Sequence, residues 1–147
     1  MVSIEDRYSY SRCQFLVFDR SPSVSSRLER FLDLANSLTI PVTRCPSEIV
    51  DKSLLENLAK GLRFNFKAEI DCRNMLFLCG GHLEEQISFS AHFLLETGFD
   101  TRLIRDLISV RDVEHTQFHD QRLIHSGALP LTSKQLVYEW IATETNL

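Results

Sequence analysis

Short apolar runs that alternate with amphipathic stretches constrain the fold of this chain more than any other feature of its sequence. The runs have the length of buried strands, and the stretches between them repeat apolar residues at the spacing of a helix. Repeated strand and helix units build a mainly parallel sheet with helices on both faces. The sequence therefore predicts an α/β fold, a three-layer Rossmann-like domain with a mainly parallel sheet flanked by helices.

The boundaries of these elements follow from the apolar pattern and from capping residues. Strands are predicted at 15–18, 40–43, 75–79, 103–104 and 128–131. Helices are predicted to begin near Ser21, Ser53, Leu83, Val113 and Thr132. Two assignments stay open: a short strand at 49–50, and residues 62–70, whose alternation is typical of a half-buried strand.

Length and composition predict one globular domain that spans residues 1–147. Hydrophobic residues make up 44% of the chain and charged residues 24%, which is ordinary for a protein that folds in water.

The formal net charge of -4 is spread along the chain, so a nucleic-acid partner is not expected. Residues 1–13 lack the apolar stretch of a signal peptide, and no later run is long enough for a membrane span. We expect a cytoplasmic protein.

The cysteines give no sign of a metal centre or a redox dithiol. None of the four lies at the close paired spacing of such sites, and disulfides are not expected in a reducing compartment. They are Cys13, Cys45, Cys72 and Cys79. No cofactor and no metal are predicted.

Candidate site residues lie where the predicted strands end. Ligands of open parallel sheets bind beyond the carboxyl ends of the strands. The residues at those positions are Asp19, Cys45, Lys52, 80–86 and Asp106.

The segment at 76–87, LFLCGGHLEEQI, resembles the strand, glycine turn and nucleophile-bearing helix of the isochorismatase-like hydrolases, the superfamily that includes nicotinamidases. Blocks at 96–100, 104–106, 126–128 and 131–133 are similar to those that follow in that family. The first half also resembles it, because residues 15–19 look like its first strand with a catalytic aspartate. Residues 49–52 can be aligned with the strand of that family that ends in its catalytic lysine.

The resemblance implies a set of catalytic positions in this chain. In the family an aspartate takes the proton of a thiol, a cysteine at a helix N-terminus attacks a carbonyl, and backbone N–H groups hold the oxyanion. The base then maps to Asp19, the assisting cation to Lys52 and the nucleophile to Gln86, while Gly81 and Gln86 flank the oxyanion turn. A glutamine amide neither ionises nor attacks carbonyls.

Two further departures from the family argue against thiol chemistry. Glu84 and Glu85 put two carboxylates in the first turn of the helix, where they disfavour a thiolate or an oxyanion. The connection before Lys52 is short, which predicts a shallow, wet pocket. The leading interpretation is a catalytically inactive isochorismatase-like protein that binds another protein as a regulatory or structural subunit, in a homo- or hetero-oligomer.

Two alternatives remain at this point. The chain is a hydrolase of a small amide that uses Asp19 and Lys52 with a relocated nucleophile, Cys45, or with water. Or it is a small-molecule sensor that uses the vestigial pocket. Structural roles are also open, since Asp19 can cap a helix or pair with Lys52, and Cys45 can be a small core residue.

A few residues outside the resemblance also invite two interpretations. Asp112, His115 and His119 share one face of a polar helix, which suits either three metal ligands or a solvated surface. Aromatic residues near the end of each half can form an interface or belong to the core. They are Phe64, Phe66, Tyr138 and Trp140.

Overall fold

The computed structural model describes residues 12–18, 25–45, 50–66 and 75–145 of the chain. Asp19, Cys72, the predicted cap at Ser21 and Ile49 of the possible short strand lie outside the described residues. The side chains of Phe64 and Phe66 also fall outside the description.

Strands and helices alternate along the described chain. The strands are β1 (Cys13–Phe18), β2 (Val42–Cys45), β3 (Met75–Gly80), β4 (Asp100–Ile104) and β5 (Leu129–Leu131). The α-helices are α1 (Ser25–Ser37), α2 (Lys52–Phe66), α3 (Ser88–Glu96), α4 (Thr116–Ser126) and α5 (Ser133–Thr145). The strands form one sheet in the order β2-β1-β3-β4-β5, and every neighbouring pair is parallel. The predicted parallel α/β sheet is confirmed.

The helices cover both faces of this sheet. Buried side chains of α2, α3 and α4 form one core layer, and those of α1 and α5 form the other. The central strands β1 and β3 are therefore buried along their whole length. This explains why both appear in the sequence as unbroken apolar runs instead of alternating ones.

Three strands end side by side at the edge where the candidate site was expected. Phe18 of β1 pairs in register with Cys45 of β2 on one side and with Gly80 of β3 on the other. A Cβ atom built on Gly80 would lie 2.0 Å from the carbonyl oxygen of Phe18, and the φ angle there is +74°. The close approach of β1 therefore requires glycine at the end of β3.

The expected strand at 62–70 is wrong as far as the described residues reach, because α2 continues to Phe66. Leu55, Ala59 and Leu62 are buried at helical spacing, and this stripe outweighs the local alternation. The expected cap at Ser53 is also corrected. The carboxylate of Asp51 accepts the hydrogen bond from the N–H of Leu54 at 2.8 Å, so the helix begins one residue earlier than Ser53, at Lys52.

The cap of the last helix agrees with the sequence. The Thr132 hydroxyl accepts from the N–H of Gln135 at 3.1 Å, and the Gln135 side chain accepts from the N–H of Thr132 at 2.8 Å. This reciprocal pair is the predicted capping box.

No helix among the described residues is long and apolar enough to cross a bilayer.

Candidate functional site

A tight turn connects β3 to the helix that carries Gln86. Gly80 and Gly81 both have positive φ angles, +74° and +65°. A π-helical turn, Leu83–Ile87, then precedes α3, and the N–H of Ile87 reaches back to the carbonyl of His82 at 3.3 Å. Single π-helical turns of this kind are frequent at functional sites because they displace side chains from a regular helix.

Gln86 is turned inward and bonds to the backbone of its own turn. Its side chain is 3% exposed, and its amide oxygen accepts a hydrogen bond from the N–H of His82 at 3.0 Å. A Cβ atom on Gly81 would lie 3.3 Å from that oxygen, so glycine leaves room for the amide. The amide oxygen of Gln86 thus occupies the backbone N–H of His82. This N–H lies in the turn whose backbone donors, according to the resemblance, would hold an oxyanion.

The two glutamates of this turn are tied to the loop that follows β4. A carboxylate oxygen of Glu84 accepts from the N–H of Arg111 at 2.7 Å. The carboxylate of Glu85 lies 3.2 Å from the Arg111 guanidinium. The carboxylates therefore hold a neighbouring loop, and they also leave the first helical turn negatively charged.

Sequence reasoning included His82 in the candidate range 80–86 but gave it no role, although its backbone N–H donates to Gln86. The side chain is 8% exposed, and its Nδ1 atom has no hydrogen-bond partner among the described residues. Ser109 fixes the backbone on either side, because its N–H donates to Gly81 and its carbonyl accepts from Leu83, at 3.0 and 2.8 Å. The sequence feature that could have indicated a role for His82 is its place as a polar residue directly after a glycine pair.

Lys52 lies at the start of α2 and is exposed. It lines a groove between α2 and α3 and forms no hydrogen bond or ion pair with any described residue. The structure therefore does not bring Lys52 into hydrogen-bonding contact with Gln86. Val50, just before it, has no strand pairing within the described ranges.

The described cysteines are core residues. Cys45 ends β2 but is 1% exposed and belongs to the core layer under α2 and α3. Cys79 lies in the opposite layer, where burial raises the pKa of its thiol far above the usual range. Burial of this kind disfavours the thiolate, which is the nucleophilic form.

Asp106, at the end of β4, is used to cap a helix. Its two carboxylate oxygens accept from the N–H and the hydroxyl of Ser133, each at 2.7 Å. The negative charge lies at the N-terminus of α5, where it stabilises the helix.

Asp112, His115 and His119 do come together, but they do not share one face of a helix as expected, because α4 begins at Thr116 and only His119 lies within it. The carboxylate of Asp112 lies 2.9 Å from Nδ1 of His115 and 3.0 Å from Nε2 of His119. The hydrogen bond from His119, and next that from His115, lowers the pKa of Asp112. No group of three such side chains is arranged to hold a metal ion in the part of the chain that the structure describes.

The two aromatic residues of α5 have different roles. Trp140 is 3% exposed and stacks on Phe31 of α1 with 5.7 Å between the ring centroids, so it belongs to the core. Tyr138 is 61% exposed and lies on the surface.

Comparison with known proteins adds one likeness of fold. No family model and no curated protein sequence matches the chain. The solved structure of the MAR1 ribonuclease from Caenorhabditis elegans is similar, with a TM-score of 0.68, and the match covers 91% of this chain and 83% of that one. The two sequences are 15% identical, a level at which the likeness shows the fold alone. It agrees with the three-layer α/β fold, a parallel sheet flanked by helices, that was expected from the sequence.

Proposed function

We propose that this chain is a catalytically inactive protein of the isochorismatase-like fold that acts as a protein-binding, regulatory or structural subunit. One observation carries the proposal: Gln86, which the resemblance aligns with the family's nucleophile, is buried, and its amide oxygen accepts a hydrogen bond from the N–H of His82. Acyl transfer by this fold needs a thiolate at that position and a backbone donor free to hold the oxyanion. Gln86 supplies no thiolate and occupies one such donor.

The other described thiols do not replace the missing nucleophile. Cys45 and Cys79 are both buried in the core, so neither meets a substrate without a rearrangement of the sheet edge. The relocated mechanism with Cys45 is therefore the weaker alternative.

The described surface carries apolar side chains suited to protein contacts. Tyr138 and Ile141, three residues apart on α5, are 61% and 50% exposed, and Leu129 of the edge strand β5 is 44% exposed. Residues at this spacing share one helix face. Exposed apolar groups on one helix face are typical of interaction surfaces.

The proposal is tested by assaying the native protein on small amides and vinyl ethers before and after alkylation of its thiols. We expect no turnover in either sample, because neither Gln86 nor a buried thiol forms the covalent intermediate. Turnover that alkylation abolishes would refute the proposal and restore a cysteine mechanism.

A second candidate function is hydrolysis by water that an imidazole activates. The observation that favours it is the carboxylate of Asp112, which orients His115 and His119 at hydrogen-bonding distance. A carboxylate that holds one imidazole nitrogen leaves the other available as a general base.

The MAR1 protein is named a ribonuclease, so single-stranded RNA joins the amides as a substrate to assay. Turnover lost in both His119→Gln and Asp112→Asn, with the fold intact, would establish this candidate. Absence of turnover on both substrate classes leaves the binding role as the better account.

A further inference from the structure

A groove lies between α2 and α3, and Gln86 is not among the residues that line it. It encloses about 770 Å³, which falls within the range of small-molecule sites, about 300–1,000 Å³. Residues of both helices and of the turn after α3 line it. They are Lys52, Glu56, Ala59, Lys60, Arg63, Phe89, His92, Phe93, Glu96 and Thr97.

The α3 wall of this groove offers an apolar surface. Phe89 is 45% exposed and Phe93 is half-buried, and Ala59 lies on the facing helix. Exposed aromatic rings in a concave site favour a flat apolar ligand, because burying both surfaces removes them from water.

The α2 wall adds a local excess of positive charge in a chain whose net charge is -4. Lysines and an arginine outnumber the two glutamates of the lining, Glu56 and Glu96. Arg63 is already engaged, since it donates to the carbonyl of Thr97 at 2.9 Å. Lys52 and Lys60 form no hydrogen bond or ion pair with any described residue, so their ammonium groups are available to an anion.

His92 points independently to a missing partner. Its imidazole lines the groove, and its Nε2 atom is buried without a hydrogen-bond partner among the described residues. Buried polar groups are nearly always paired, so an unpaired one calls for an explanation.

We infer that the groove between α2 and α3 binds a small aromatic monocarboxylate. Its ring lies on Phe89 and Phe93, its carboxylate is held by the ammonium group of either Lys52 or Lys60, and one oxygen accepts a hydrogen bond from His92. This site is separate from the Gln86 turn and does not depend on whether the chain has a catalytic function.

The test is a titration of the purified full chain with benzoate and hydrocinnamate, followed through backbone amide NMR shifts. The neutral benzamide and hydrocinnamamide serve as matched ligands without the charge. We expect saturable binding of the acids, with shifts concentrated in 52–63 and 89–97, and at least about tenfold weaker binding of the amides.

Variants separate the parts of the site. Lys52→Ala combined with Lys60→Ala should weaken binding of the acids by about tenfold or more, and Phe89→Ala should weaken binding of acids and amides alike. Lys134→Ala, which removes an exposed lysine on α5, should leave binding unchanged. Absence of saturable binding, shifts outside these segments, or binding that the double lysine variant retains would each overturn the inference.

Discussion

The side-chain oxygen of Gln86 accepts a hydrogen bond from the backbone N–H of His82, 3.0 Å away in the same turn. Both residues are buried, so water does not compete for either group. The backbone N–H of His82 is therefore occupied by a side chain of the protein itself.

The contribution of this hydrogen bond is measurable with a matched pair of variants. Gln86→Met keeps the length of the side chain but leaves the His82 N–H without an acceptor, which should reduce the free energy of unfolding by about 1–3 kcal/mol. Gln135→Met removes a similar bond to the N–H of Thr132 at an exposed helix end. Water replaces the acceptor there, so we expect a loss of about 0.5–1 kcal/mol. Urea unfolding compares them, and equal losses would contradict a special role for the Gln86 turn.

Two glycine substitutions test the geometry at the end of β3. Gly80→Ala places a methyl group 2.0 Å from the carbonyl oxygen of Phe18, so we expect a protein that unfolds at much lower urea or does not fold. Gly61→Ala, inside α2 with open space around it, should stabilise the protein by about 0.5–1 kcal/mol. A stable Gly80→Ala variant would show that β1 and β3 do not approach in this way.

The fold was predictable because its strands and helices carry strong periodic patterns. The runs that became β1 and β3 are buried on both faces and have no competing interpretation. The segment from Leu62 to Phe66 was harder, because leucine and phenylalanine alternate there with polar residues as in a strand. Helical packing of Leu55, Ala59 and Leu62 against the sheet decided the outcome, and such packing is a tertiary effect that a local pattern does not contain.

The candidate site was predictable only in part. The resemblance identified position 86, but the sequence could not show that the amide folds back onto His82, since that contact depends on the two positive φ angles before it. Asp106 was a candidate at a strand end and serves as a helix cap. Glu84 and Glu85 were expected to disfavour an oxyanion, and the structure adds their contacts with a loop. Carboxylates at strand ends have the same sequence signature in either role.

The contact of Asp112 with His115 and His119 should make stability depend on pH in the acid range. Folding lowers the pKa of Asp112 below the unfolded value of about 3.9, so its ionised form stabilises the protein above that pH. This contribution is lost as the pH falls through the folded pKa.

Urea midpoints of the native protein and Asp112→Asn, measured from neutral to acid pH, test this dependence. We expect the urea midpoint of the native protein to exceed that of the variant at neutral pH, and the two midpoints to converge at acid pH. Asp33→Asn, at an exposed carboxylate of α1, should show no such convergence. A gap that widens as the pH falls would contradict the assigned sign.

The exposed face of α5 should contribute to self-association if the chain is an oligomer as proposed. Tyr138→Ser combined with Ile141→Ser removes two apolar side chains from one helix face and should raise the dissociation constant about tenfold or more. Val113→Ser combined with Phe118→Ser, at other exposed apolar positions, is the matched control. Light scattering after size exclusion measures the mass of each, and a native protein that is monomeric throughout would exclude a homo-oligomer.

The most direct test of the central claim compares the native protein with Gln86→Cys on the same panel of small amides and vinyl ethers. The account predicts no turnover by the native protein, because an amide that holds the His82 N–H neither attacks a carbonyl nor leaves that donor for an oxyanion. Turnover by the variant alone would show that the pocket persists and lacks only its nucleophile. Turnover by the native protein that survives replacement of Gln86 would contradict the account.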